Sequence, residues 1–197
     1  MSTFPSSPAP RSAKIKSVSP TFVSTAQSLR RVVSSRGAHR WAIELDFPPM
    51  RRSIFAPLWA FITAQRGRSG SFDFVLPAHA PQGSWAGTVL VDGAAQVGTT
   101  INLKGFTAAQ NGVAKAGDFV RFAGSYKTYM VTADSNSDAA GKASISINTP
   151  LCASPEDSAA VYSDCKFRCS LVDDNTDTEV STDMTYDFKV QLMEVLY

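Results

Sequence analysis

The chain is poor in the residue types that carry most enzyme chemistry. Its 197 residues include two histidines, His39 and His79, and three cysteines, Cys152, Cys165 and Cys169. Each histidine sits beside turn residues with no carboxylate or nucleophile at a motif distance, and GxSxG is absent, so neither has the setting of a general base. Two histidines and three scattered cysteines give no zinc spacing. Gly67, Gly70 and Gly83 form neither GxGxxG nor a P-loop. Three cysteines also make no disulfide framework. Cys165 and Cys169 on one strand face would lie roughly 13 Å apart at about 3.3 Å per residue, too far to bridge. The expectation is buried free thiols in a reducing compartment. No apolar run approaches the roughly 20 residues of a membrane span. The polar, Pro/Ser-rich start STFPSSPAPRSAKIKSVSP lacks a signal-peptide core. These absences lead to an expectation of a soluble, non-enzymatic protein made in the cytosol, with no metal, no cofactor and no membrane insertion.

Acidic residues are scarce at one end of the chain and basic ones at the other. Residues 1–70 carry 11 Lys/Arg against 2 Asp/Glu, residues 71–150 carry 5 against 5, and residues 151–197 carry 3 against 10. The balances are +9, zero and −7. The two ends are complementary and can pair within one protomer or between neighbours in an assembly. The basic third (Arg30, Arg31, Arg36, Arg40, Arg51, Arg52, Arg66 and Arg68) lacks the interleaved exposed aromatics of a single-strand platform. It also lacks helix-turn-helix or zinc-finger spacing. A solvated or interface role is expected there rather than nucleic-acid reading. The acidic loop Asp173, Asp174, Asp177, Glu179, Asp183 lacks the glycine and terminal glutamate of an EF-hand, which favours a solvated loop.

A hydrophobic fraction of 44% with 18% charged residues is ordinary for a globular protein. The organising stretch is WAIELDFPPMRRSIFAPLWAFITAQRGRSGSFDFVLP, Trp41 to Pro77. Trp41, Ile43, Leu45 and Phe47 alternate with polar or small residues, predicting a strand with one buried face. Pro48-Pro49 ends it. Phe55, Leu58 or Trp59, Phe61 or Ile62, and Gln65 then recur at helical spacing. Pro57 belongs near a helix's first turn, which places the start between Ser53 and Ala56. Gly67 supplies a left-handed stop, and Phe72, Phe74 and Leu76 resume strand alternation.

Upstream, Met1 to about Ser19 reads as a flexible arm that could order by strand addition. Leu29–Val33 reads as a strand in a hairpin with the strand at Trp41. Downstream of Pro77, short strands are predicted at Thr88–Val91, Thr100–Leu103, Phe119–Phe122, Thr128–Thr132 and Ala143–Ile147, the pattern of a small β-sandwich or barrel. Asp118 reads as a turn residue before its strand. Lys166–Leu171 and Thr185–Val195 form a last hairpin around the acidic loop. A lone hairpin is marginal in water, so it is expected to return to the sheet begun by Trp41 and Phe72. The expected organisation is an arm over 1–19, a β domain from 20–80 plus 163–197, and an inserted β domain over 81–162.

The sequence RRVVSSRGAHRWAIELDFPPMRRSIFAPLWAFITAQRGRSGSFDFVLP, followed by AGDFVRFAGSYKTYMVTAD and ASISINTPL, resembles minor tail proteins of long-tailed bacteriophages. The type it is most similar to is the distal tail protein. The resemblance covers about Arg30 to Val195 and rests on patterns of residue types. It implies a mainly β fold: a split β-barrel or sandwich with one flanking helix and an inserted OB-like or galectin-like β domain. It further implies a virion protein that forms a homo-oligomeric, six-fold ring joining the tail tube protein to the baseplate hub or tail tip. DNA and the tape-measure protein would pass through its lumen without sequence recognition. Arg40, Arg51 and Arg52 against Asp173, Asp174 and Asp177 are the expected subunit-interface pairs. The alternative is a carbohydrate-binding β module of a tail tip or host-recognition device, with Trp85, Tyr126 and Tyr129 stacking on sugar. A virion-borne hydrolase would require a carboxylate pair or metal triad that the sequence does not display.

Overall fold

The computed structural model describes residues 2–35 and 37–196, so Arg36 lies outside the described residues. In chain order the elements begin with β1 (Ser2–Thr3), β2 (Ser12–Val18), β3 (Thr21–Thr25), β4 (Arg31–Ser35), β5 (Arg40–Asp46), β6 (Met50–Arg51), helix α1 (Arg52–Ala64) and β7 (Phe72–Val75). They continue with β8 (Gly87–Val91), β9 (Thr100–Phe106), β10 (Phe119–Phe122), β11 (Tyr129–Met130), β12 (Lys142–Ser146) and β13 (Val161–Tyr162). The last are β14 (Lys166–Leu171), β15 (Glu179–Val180), β16 (Thr185–Asp187) and β17 (Lys189–Glu194). The fold is mainly β with one α-helix among the described residues, as the strand-rich pattern predicts.

The chain divides into two compact units. Unit 1 takes the chain up to Asp73 and again from Cys169 to Val195; unit 2 is Phe74–Arg168 with Leu196. Unit 1 is built on a six-stranded sheet in the order β1-β7-β14-β17-β5-β2, whose strands β7 and β14 carry the chain out of the unit and back. The alternation in β5 buries Trp41, Ile43 and Leu45, and β17 answers with Val190 opposite Leu45 and Leu192 opposite Ile43. On the other side of β17, Leu192 lies opposite Leu171 of β14. The C-terminal strands thus join the sheet of Trp41 and Phe72, where a free hairpin would leave one apolar face wet.

Helix α1 buries Phe55, Leu58 and Ile62. The Phe55 ring stacks on Tyr186 at 4.7 Å and meets Phe188 edge-on at 5.7 Å. The helix begins at Arg52, slightly earlier than Pro57 suggested, which leaves Pro57 in the second turn. Proline there deprives the Ser53 carbonyl of its intrahelical donor, a loss water can make good because Ser53 is exposed. Gly67 is left-handed at φ +66°, and Arg66 before it shares that conformation at φ +55°.

Two expectations for the N-terminal region need correction. Part of the supposed arm is an edge strand: β2 pairs along its length with β5, setting Ile15 opposite Ile43, while Phe4 is buried against Phe47, Phe61 and Phe72. The composition concealed this because lysines alternate with Ala13 and Ile15, the arrangement that protects a sheet edge. The strand over Leu29–Val33 is shifted to Arg31–Ser35, and its partner is β3, not β5. The reason is register: β5 already has β2 on one side and β17 on the other.

Unit 2 contains two three-stranded sheets, β12-β9-β8 and β11-β10-β13. Isolated bridges Leu90–Ala160 and Val131–Ile147 tie their strands together. Val91, Ile101, Leu103, Val120, Phe122, Tyr129, Val131 and Ile145 fill its core. No described helix is long and apolar enough to cross a membrane.

Candidate assembly surfaces

Unit 1 pairs some of its charges, among them Lys16 with Glu44 and Lys189 with Asp46, and leaves others open. Arg40, Arg51 and Arg52 are exposed, and among the described residues none takes part in an ion pair. Arg51 is positioned by backbone pairing of β6 with Thr185 of β16, and Arg52 opens the helix. Asp173, Asp174 and Asp177 are likewise exposed. Two of them have a partner within the protomer that the sequence did not suggest. The Arg68 guanidinium lies 3.5 Å from Asp173 and 3.9 Å from Asp174, and Asp174 accepts the Arg68 backbone N–H at 3.0 Å. The acidic segment is therefore anchored to the turn after α1. Gly67 makes the approach possible, since a Cβ there would meet the Asp174 carboxylate. Asp173 and Asp177 also line a cleft of about 220 Å³ with Leu171, Asn175, Thr176 and Lys189.

The three aromatics proposed for sugar stacking do not form one platform. Tyr129 is fully buried in the core of unit 2, and its hydroxyl accepts the Cys152 N–H at 2.9 Å. A ring with no open face cannot stack on a sugar. Trp85 is half-buried, packs on Phe106 at 5.8 Å and donates its indole N–H to Asp118 at 2.9 Å. Only Tyr126 is exposed, and the Arg168 guanidinium lies 5.3 Å from its ring.

Asp118 is a buried hydrogen-bond hub of unit 2. It is 1% exposed and accepts the backbone N–H groups of Gln82 (2.6 Å), Gly83 (2.9 Å) and Lys115 (3.0 Å) besides the Trp85 indole. Burial by itself would raise its pKa, but these donors together outweigh burial and hold the carboxyl below its ordinary value. It clasps the 82–85 loop to the rest of the unit. The reading of Asp118 as a turn residue missed this because three of its four partners lie 33–36 positions upstream.

Elsewhere on unit 2 a charged network spans β8, β9 and β12. Lys104 lies 3.0 Å from Asp157 and 3.9 Å from Asp92, whose other oxygen is 2.8 Å from Lys142. The Gly93 N–H is the first cause and the Lys104 ammonium the second that lower the Asp157 pKa to about 2. Its folded value lies below the unfolded one, so its contribution to stability is present above about pH 4 and lost as pH falls through 2. Carboxyl-detected NMR should give an Asp157 midpoint near 2, rising toward the ordinary value in Lys104→Ala.

The cysteines are free, with Cys165 and Cys169 buried as expected, but Cys152 is exposed. Desolvation, aided by the charge of Asp164, pushes the Cys165 thiol up to about 12, which leaves it unreactive. Cys152 follows a proline turn outside any strand, where no apolar alternation draws it inward. Among the described residues no cluster of three or more His, Cys, Asp or Glu is arranged to hold a metal.

The surface missed altogether by the sequence is the β3–β4 hairpin. Every residue of both strands is exposed, including Phe22, Val23, Val32 and Val33. Among the described residues, neither strand makes a substantial contact with any element except the other. The Val-Val pair at residues 32–33 was the available signal, read as part of a strand in a hairpin with the one at Trp41.

These are surfaces and clasps suited to holding and joining. Among curated proteins none matches the chain. A family model described as the distal tail protein pb9, B domain, matches residues 78–162, less than half of the chain and nearly all of unit 2. Residues 78–162 therefore match the B domain of the distal tail protein pb9, which supports a phage distal tail protein-like family.

Proposed function

We propose that this protein is a structural component of a phage tail that closes into a ring of identical copies, six on the resemblance to distal tail proteins. The ring joins the tail tube to the tail tip or baseplate hub and leaves a lumen for DNA and the tape-measure protein. Residues 20–80 plus 163–197 supply the ring-forming part and residues 81–162 the inserted domain. The matched B domain supports the tail role.

The observation that carries self-assembly is the charge arrangement within unit 1. Arg40, Arg51 and Arg52 stand exposed without carboxylate partners of their own, while Asp177 and the rim of Asp173 and Asp174 remain exposed on the same unit. Head-to-tail contacts repeated around an axis need complementary surfaces on one chain, and this unit carries both signs. Exposed pairs contribute about 0–1 kcal/mol each, so they set register more than strength.

Changing Arg51 and Arg52 together to Glu is expected to weaken the multimer by roughly 3–10-fold in dissociation constant. Folding should be preserved, because acidic residues at a helix start suit its dipole. Light scattering across a concentration series reads the effect; an unchanged multimer size and midpoint would count against these pairs.

A further inference from the structure

We infer that the β3–β4 hairpin of one protomer docks onto the β15–β16 hairpin of a second copy of this chain. The inference rests on the self-assembly proposed above and specifies the contact that holds it.

The ladder register fixes which residues share a face. Val23 lies opposite Val33, and Ser24 opposite Val32, with Phe22 opposite Ser34. Val23 and Val33 therefore occupy one face, and Phe22 and Val32 the other. Exposures of 59% at Phe22 and 57% at Val32, against 44% and 51% at the valine pair, show that the protomer covers neither face. An isolated two-stranded hairpin is marginal in water, and packing against another element stabilises it. Apolar residues on both faces of an uncovered one are what a docked element requires.

The chemistry of the partner follows from the hairpin's charge. Its turn, closed by the Ala26 N–H to the Arg30 carbonyl at 3.0 Å, presents Arg30, Arg31 and an 85% exposed Leu29. No carboxylate precedes Glu44 in the sequence. The surface that receives this hairpin must be both apolar and acidic. The β15–β16 hairpin has that character: Val180 and Met184 are 56% and 79% exposed among Glu179, Asp183 and Asp187. It is also held in shape, since the Ser181 N–H reaches the Thr185 carbonyl at 2.9 Å and Asp183 accepts the Thr185 hydroxyl at 2.7 Å. Each copy thus offers one basic-apolar hairpin and one acidic-apolar hairpin, the pairing a heterologous ring repeats.

The test is a photo-crosslinking amino acid at Phe22 of the full chain, with the crosslinked peptides mapped by mass spectrometry alongside the native mass. The expected result joins position 22 to residues 179–187 of a second copy, and Met184→Asp abolishes it. Replacing Phe22 and Val33 by Ser, both exposed in the protomer, should raise the multimer's dissociation constant roughly 30-fold or more, with circular dichroism checking that the fold is kept. A multimer whose crosslinks fall elsewhere, or on another protein when tails are assembled, overturns the hairpin contact and leaves ring formation standing. A protomer mass at every concentration and in assembled tails overturns both.

Discussion

Replacing Asp118 with Ala is expected to destabilise unit 2 by about 3–5 kcal/mol, a large share of the 5–15 kcal/mol typical of a domain. The change removes one buried carboxylate but strands four donors: the N–H groups of Gln82, Gly83 and Lys115 and the Trp85 indole. Each unsatisfied buried donor costs about 1–3 kcal/mol, and water entering the vacated space recovers part of that. Asp118→Asn retains one acceptor oxygen and should lose less. The pH dependence has a definite sign. The folded carboxyl is held below its unfolded value, so its contribution is full above about pH 4 and disappears as pH falls through the depressed folded value. Urea unfolding at neutral pH measures the loss, and amide exchange over residues 82–85 locates it. A variant with the parental midpoint and unchanged protection would show that the clasp is dispensable.

The second large effect is expected at Gly105, where Ala should cost about 3 kcal/mol or more. The β8–β9 register shifts between Gly87 and Leu90, because β8 has one residue more than β9 over that span. This is a bulge, and bulges bend strands and bring backbones together. Gly105 sits there at φ +92°, and a Cβ would collide with the Thr88 carbonyl oxygen; one on Gly87 would collide with that of Gly105. Both strands lie across the buried core of unit 2, so neither can shift without disturbing Val89 or Leu103. Gly93 is the control. It has a similar φ of +94° but open space around the missing Cβ, so Gly93→Ala should cost only about 1 kcal/mol of backbone strain. Thermal unfolding of the two variants separates close approach from backbone strain, and equal losses would show that the bulge can relax.

The parts of the fold legible in the sequence were those where a single period ran long enough to be unambiguous. Trp41 to Phe47 and the alternation from Phe188 to Leu192 each identified a buried face that the structure buries, and of the helix alternatives Leu58 or Trp59 and Phe61 or Ile62 it buries Leu58 and Ile62 beside Phe55. Ser12–Val18 and the Arg31–Ser35 pairing were not legible for different reasons. The first is an edge strand whose lysines mask a weak alternation. The second has no covered face in the protomer, so its apolar residues obey no burial pattern within one chain. The candidate surfaces divided similarly. Charge segregation could be counted from residue types, whereas the Arg68 contact to Asp173 and Asp174 joins residues more than 100 positions apart and depends on the fold. Tyr129 and Trp85 illustrate the limit of reading aromatics as binding residues: each has a polar tip, and here the tip serves an internal, part-buried hydrogen bond.

The proposed assembly would account for exposed apolar residues on two hairpins of opposite charge, Phe22, Val23, Val32 and Val33 on one and Val180 and Met184 on the other. Cryo-electron microscopy of the virion that carries this chain tests that account most directly. The expected density is a closed ring of this fold at the end of the tail tube away from the head. In that ring each β3–β4 hairpin would lie against the β15–β16 hairpin of its neighbour. A tail whose tube-to-tip junction is resolved and contains no copy of this fold would contradict it.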